Sequence, residues 1–170
     1  MCIRDSGLAV QNRAVSGALL VDAGEDIRAQ YTEGDWLALL MTGGGNDLND
    51  RCACGSCAEE LDGLLSADGR SGALASFVRE VLSDGIPVVY VGYFDMPPTA
   101  DFGFAACQDE LEDFRTRLRA LEAEQQAFLF IDPSEVISAD ELEYYEEDHV
   151  HPSEEGVEVA GAYVAEVVGG

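Results

Sequence analysis

The sequence predicts an α/β protein built on a parallel sheet, and three observations lead there. Short apolar runs alternate with stretches of helical periodicity, the pattern of strands joined by crossover helices. One run, Ile86-Pro87-Val88-Val89-Tyr90-Val91, is apolar almost throughout, as a central strand covered on both faces would be. The chain has 170 residues and neither an internal repeat nor a low-complexity linker, which is enough for one domain with a real core.

The elements follow in order. Leu8-Ala9-Val10 is a short strand candidate. Residues 17–30 read as a helix, with Leu19, Leu20, Ala23 and Ile27 at helical spacing. Residues 36–41 read as a buried strand, and Ala58 to Leu65 as a short helix. Ser71 opens a helix through Leu82 that places Leu74, Phe77, Val78, Val81 and Leu82 on one face, and Asp84-Gly85 ends it. After the central strand, Asp95 to Phe104 is a loop marked by Pro97-Pro98. Residues 105–125 form a long helix with Leu111, Phe114, Leu118 and Leu121 inward, and Ala127 to Ile131 form the last strand. Residues 140–146 suit a short helix. Residues 153–168 suit a C-terminal helix, started by Ser153 with Glu154 and Glu155 near its positive end.

Charge narrows the partners. The net charge is −25, from 34 acidic and 9 basic residues, and every basic residue is Arg. Such a surface repels nucleic-acid phosphates and anionic lipid, so no nucleic-acid partner is expected. It suits either a solvated acidic face or a saline habitat, where screening relieves self-repulsion. No apolar run is long enough to span a bilayer.

Two distant motifs carry chemistry. Gly44-Gly45-Asn46-Asp47 follows the apolar run Trp36-Leu37-Ala38-Leu39-Leu40-Met41, and Asp148-His149-Val150-His151-Pro152 lies near the C-terminus. An Asp three residues before a His can orient that imidazole as a general base. An Asn at the end of a buried strand can aim its amide at a developing oxyanion. For the glycine run, a flexible turn or a phosphate cradle is the rival. A phosphate loop normally brings a Lys or a following Ser/Thr, and neither stands beside Asn46.

These motifs, in this order, resemble the GDSL/SGNH hydrolase superfamily. Gly44-Gly45-Asn46-Asp47-Leu48 resembles its Gly-x-Asn-Asp block, Asp148 to Pro152 its terminal Asp-x-x-His block, and Asn12 to Ala18 its glycine block, with Gly17 as the glycine. The resemblance spans residues 8 to about 168. It implies a three-layer α/β/α flavodoxin-like sandwich with a parallel sheet, here missing its first strand, which lies between the second and third in that strand order. It implies His151 as base, Asp148 as its orienting acid, and Asn46 with the Gly17 backbone N–H as oxyanion donors, with no cofactor. Gly17 alone reads as a turn glycine. Asp47 is expected to cap or tie its loop. His149, adjacent to the acid, is the rival base and is expected in a supporting or surface place.

The family's Gly-Asp-Ser block has no counterpart. Asp5-Ser6-Gly7-Leu8 mimics it, but eleven positions from Ser6 to Gly17 cannot hold a crossover helix, so Ser6 is rejected as nucleophile. Residues 1–6 read as a cloning or assembly scar and 7–170 as a single incomplete domain. The expectation is an N-terminally truncated ester hydrolase that is inactive alone, with unpaired ladder groups beside the absent strand.

With Cys2 set aside, Cys52, Cys54, Cys57 and Cys107 remain. Four cysteines allow three connectivities. Cys52 and Cys54 are too close to pair easily, so one bridge from the trio to Cys107 is expected, with the other two free to pair. Disulfides would imply export to an oxidising setting; a zinc site of four thiolates or reduced buried thiols are the alternatives. The function expected is therefore a serine-type hydrolase of small-molecule lipid, acyl or acetylated-sugar esters. The rivals are a metal-binding or redox module on the cysteines, and a noncatalytic ligand-binding domain. Oligomeric state is left open.

Overall fold

The computed structural model describes residues 9–21 and 27–169. Three parallel strands, β1 (Leu39–Met41), β2 (Val88–Val91) and β3 (Phe128–Ile131), lie in the order β1-β2-β3. Leu39 pairs with Val88, and Val88 with Phe128. The helices are α1 (Ile27–Gln30), α2 (Gly45–Cys52), α3 (Ala58–Leu64), α4 (Ala73–Ser83), α5 (Gln108–Glu124) and α6 (Glu154–Gly169).

Strand alternation divides the core into two layers. Met41, Val88, Tyr90, Phe128 and Phe130 face a large cluster with Leu48 of α2, Leu61 of α3, Phe77 and Val78 of α4, and Phe114 and Leu118 of α5. Val89 and Ile131 face the other way, against Val164 of α6, with Leu40, Val91 and Leu129 half-buried around them. The result is the expected α/β/α sandwich. Its α4 face is the one read from the sequence, because Leu74, Phe77, Val78 and Val81 recur at the helical period and all are buried.

Several elements differ from expectation. Residues 17–21 are turn and irregular chain rather than helix, and the helix begins only at Ile27; residues 22–26 lie outside the described residues. The reason is a long-range competitor. The Leu20 and Val21 N–H groups donate to the Asp47 carboxylate, at 2.8 and 3.0 Å, and are lost to a helical ladder. Leu20 is buried and Ile27 packs on the same cluster, so the apolar spacing there reflects core contacts from a non-helical chain.

Ala9 and Val10 are exposed and outside any strand, while Leu8 lies outside the described residues. The strand at 36–41 shrinks to β1. Trp36 folds back, its indole N–H donating to the Thr32 carbonyl at 2.8 Å, and Leu37 is 74% exposed. Among the described residues β1 pairs only with β2, so Leu39 and Leu40 are half-buried. The segment at 140–146 is a single 3-10 turn, Leu142–Tyr144.

The cysteines form two disulfides, Cys52–Cys57 and Cys54–Cys107. One bridge runs from the trio to Cys107, as expected, and the thiolates that a zinc site would need are taken up.

Arginines are drawn into ion pairs: Arg28–Glu80, Arg70–Glu124, Arg115 with Asp95 and Asp132, Arg117 with Asp62 and Asp113. With 34 acidic against 9 basic residues, a large excess of negative charge remains after these pairs form. Raising NaCl from low concentration to 1 M shortens the screening length to about 3 Å. The thermal midpoint is expected to rise by roughly 5 °C over that range. A flat or falling midpoint in a scanning melt would remove self-repulsion as a determinant of stability.

Candidate active site

The loops that leave β1, β2 and β3 all depart from the C-terminal edge of the sheet, where ligands bind in open parallel sheets. The first is the glycine turn. Gly44 sits at φ 97°, a left-handed conformation that most side chains avoid. A Cβ on Gly45 would stand 2.7 Å from the Tyr93 ring. The Gly45 N–H donates to the Tyr93 hydroxyl at 3.0 Å, and the Tyr90 hydroxyl donates to the Gly43 carbonyl. Burial pushes both phenols up, Tyr93 to about 12, so both remain protonated. The turn is therefore a packed support and not a flexible connector.

That support sets Asn46 in the first turn of α2. Its Nδ2 lies 3.5 Å from the Ala18 carbonyl, a long contact that leaves one amide proton uncommitted among the described residues. Beside it, the fully buried Asp47 holds the Leu20 and Val21 N–H groups. Burial raises its carboxyl above the ordinary aspartate value, against the pull of those N–H groups and of Arg51. The expectation that Asp47 ties its loop thus describes what it does. The loop it ties carries Gly17, one residue from Ala18, at φ 76° with open space around its Cα and no acceptor for its N–H among the described residues.

Removing Asp47 would orphan two backbone donors. Asp47→Ala is expected to destabilise the fold by about 2 kcal/mol in urea denaturation. A loss below a few tenths of a kcal/mol would show that solvent replaces the carboxylate without penalty.

The third loop carries Asp148 and His151. Asp148 Oδ2 lies 2.7 Å from His151 Nδ1, while Oδ1 accepts from the Val150 and His151 N–H groups, both at 2.9 Å. Partial burial alone would raise this carboxyl. The His151 backbone N–H and ring, then the Val150 N–H, outweigh it and hold the value at about 2. The carboxylate is thus ionised and fully occupied in orienting one ring. The His151 side chain is 64% exposed, and its second nitrogen has no partner among the described residues.

The loop after β2 joins the other two. The Asp101 N–H donates to the Asp148 carbonyl at 2.9 Å. Asn49 Nδ2 donates to the Phe102 carbonyl at 3.0 Å. Asn49 is one helical turn beyond Asn46, so it shares that residue's side of α2. One loop therefore ties the Asp148–His151 loop to the helix that carries Asn46.

A sequence profile of the GDSL-like Lipase/Acylhydrolase family matches residues 2–159. The chain belongs to that family. A search of curated proteins finds no match. In this GDSL-family chain the fold implied by the resemblance is the fold observed. Asp148 and His151 meet, and Asn46 and the Gly17 segment meet. Ser6 and Cys2 lie outside the described residues. His149 points to Thr99, its Nδ1 2.7 Å from the Thr99 hydroxyl, and not into the Asp148 carboxylate.

Sequence reasoning missed Tyr90, Tyr93 and Thr99. Each acts on a residue 47 to 50 positions away, and no local spacing signals such a contact. A Tyr just past a central strand, at the ligand-binding edge, was the available signal for Tyr93.

Proposed function

We propose that the chain supplies the base, the orienting acid and the oxyanion donors of a serine-type ester hydrolase. The observation that carries this reading is the Asp148–His151 pair, closed at 2.7 Å with no partner on the outer ring nitrogen among the described residues, on a loop tied to the helix that bears Asn46. Among the described residues no serine hydroxyl bonds that nitrogen, and the reading takes its nucleophile from a serine outside them.

In the proposed reaction His151 takes the proton from the serine hydroxyl as its oxygen attacks the ester carbonyl. Asn46 Nδ2 and the Gly17 N–H receive the negative charge that develops on the carbonyl oxygen. His151 then protonates the leaving alcohol. Water, deprotonated by the same ring, releases the acid from the acyl-serine. Asp148 stays ionised throughout and stabilises the imidazolium. No step calls for a cofactor. The substrate class is small acyl, lipid or acetylated-sugar esters, and the acidic surface favours uncharged over anionic ones. Two disulfides suit an exported protein.

The test compares the chain as it stands with one preceded by a strand ending in Gly-Asp-Ser, on acetyl and long-acyl esters. Only the second is expected to turn over and to be labelled at that serine by a fluorophosphonate. Turnover by the chain as it stands, abolished by Ser6→Ala, would move the nucleophile to Ser6. A folded serine-bearing chain that neither reacts nor labels would remove the base assignment.

A further inference from the structure

Among the described residues, Ala53, Cys54, Ser56, Phe102 and His149 are the non-glycine residues with positive φ. Three belong to the disulfide-bonded turn after α2. The other two, at φ 57° and 53°, stand on the two loops that meet above β2 and β3. Non-glycine residues seldom adopt this conformation, His more readily than most, and local contacts help to hold it.

The contacts that help to hold it at His149 are specific. Its N–H donates to the Glu146 carbonyl at 2.9 Å, and its Nδ1 lies 2.7 Å from the Thr99 hydroxyl. The carbonyl just before it, on Asp148, accepts from the Asp101 N–H at 2.9 Å. The left-handed turn at His149 is what swings the Val150 and His151 N–H groups onto Asp148 Oδ1 and sets the ring against Oδ2. If His149 relaxed to a right-handed or extended conformation, those N–H groups would turn away from the carboxylate. Asp148 would then have no fixed direction in which to hold the imidazole.

We propose that Thr99 and His149 form a latch between the loop after β2 and the base-bearing loop, and that the latch positions the Asp148–His151 pair. Both are positioning residues: neither is placed to touch the reacting atoms. This assigns His149 a task other than base, and gives the Asp95–Phe104 loop a part in aligning the site. The inference rests on reading Asp148–His151 as the base pair.

The pair can be observed without turnover, in the full chain. The proton between His151 Nδ1 and Asp148 gives a downfield NMR resonance when the two are held together, and the Asp148 carboxyl titrates in carbon-detected spectra. Thr99→Val and His149→Ala are expected to broaden that resonance several-fold or abolish it. Both should also raise the Asp148 midpoint from about 2 toward the ordinary aspartate range. Thr99→Ser keeps the hydroxyl. His149→Asn keeps a polar group and accepts a left-handed backbone. Both conservative variants should retain resonance and midpoint. Circular dichroism and melting confirm the fold of every variant.

A folded Thr99→Val chain with unchanged resonance and midpoint would overturn the latch. So would His149→Asn behaving as His149→Ala does. Asp148→Asn separates the two readings. If it leaves the resonance in place, or the unmodified chain never shows one, the base pair itself fails and the latch falls with it.

Discussion

His151→Ala, in the serine-bearing form of the chain, is expected to lower kcat on the order of 10⁶-fold, with little change in KM. The physical reason is that neither of its neighbours, Asp148 and His149, is set up to take the proton in its place. Asp148 is held near a pKa of about 2, so it is far too weak a base at neutral pH. His149 Nδ1 meets the neutral Thr99 hydroxyl, so no carboxylate stabilises its imidazolium as Asp148 does for His151. Asp148→Asn should cost about 10⁴-fold, because the ring survives but its tautomer is no longer enforced. Asn46→Ala should cost about 3 kcal/mol of transition-state stabilisation, a smaller loss that leaves the proton relay intact. Steady-state hydrolysis of one ester by the three variants gives the order. A loss below tenfold for His151→Ala would take it out of the role of base.

Cys107→Ser is expected to be the most damaging single change to stability. Cys54–Cys107 links positions separated by 53 in sequence, and loop-closure entropy over that length corresponds to about 4 kcal/mol. Cys52–Cys57 spans a separation of 5, for which the same relation gives only about 2 kcal/mol. The long bridge joins the end of α2 to the start of α5, and both of its sulfur-bearing residues are buried. It also fixes the Phe104–Ala106 turn beside the loop that clasps Asp148. Urea denaturation of Cys107→Ser and Cys57→Ser reads the difference directly. Equal losses, or the reverse order, would mean that the long loop is already restricted in the unfolded chain or that the pairing is different.

The legible parts of this molecule share one property: their partners are near in sequence or follow a short period. The α4 face could be read because Leu74, Phe77, Val78 and Val81 repeat with the helix, and burial follows that repeat. β2 and β3 could be read from apolar runs that helices cover on both faces. Asp148 and His151 could be paired because three residues of turn suffice to bring them together. The segment at 17–21 could not. Its apolar spacing mimics a helix, and only a carboxylate 26 and 27 positions away reveals where its N–H groups go. The strand at 36–41 was overextended because, among the described residues, β1 is paired on one side only and holds fewer residues than its apolar run suggests.

What the amino-acid order determined by itself was chemistry and local geometry: which side chains could act as base, acid and amide donor, and which segments could form strands or helices. These rest on short-range sterics and hydrogen bonding, whose range is a few residues. Tertiary structure alone decided how the loops that carry them are tied at the C-terminal edge of the sheet. The contacts that join them, Asp47 to Leu20, Tyr93 to Gly45 and Thr99 to His149, close loops of 27 to 50 residues. Closing such loops costs entropy that only the collapsed core can offset. Their partners were therefore chosen by the packing of the whole sheet.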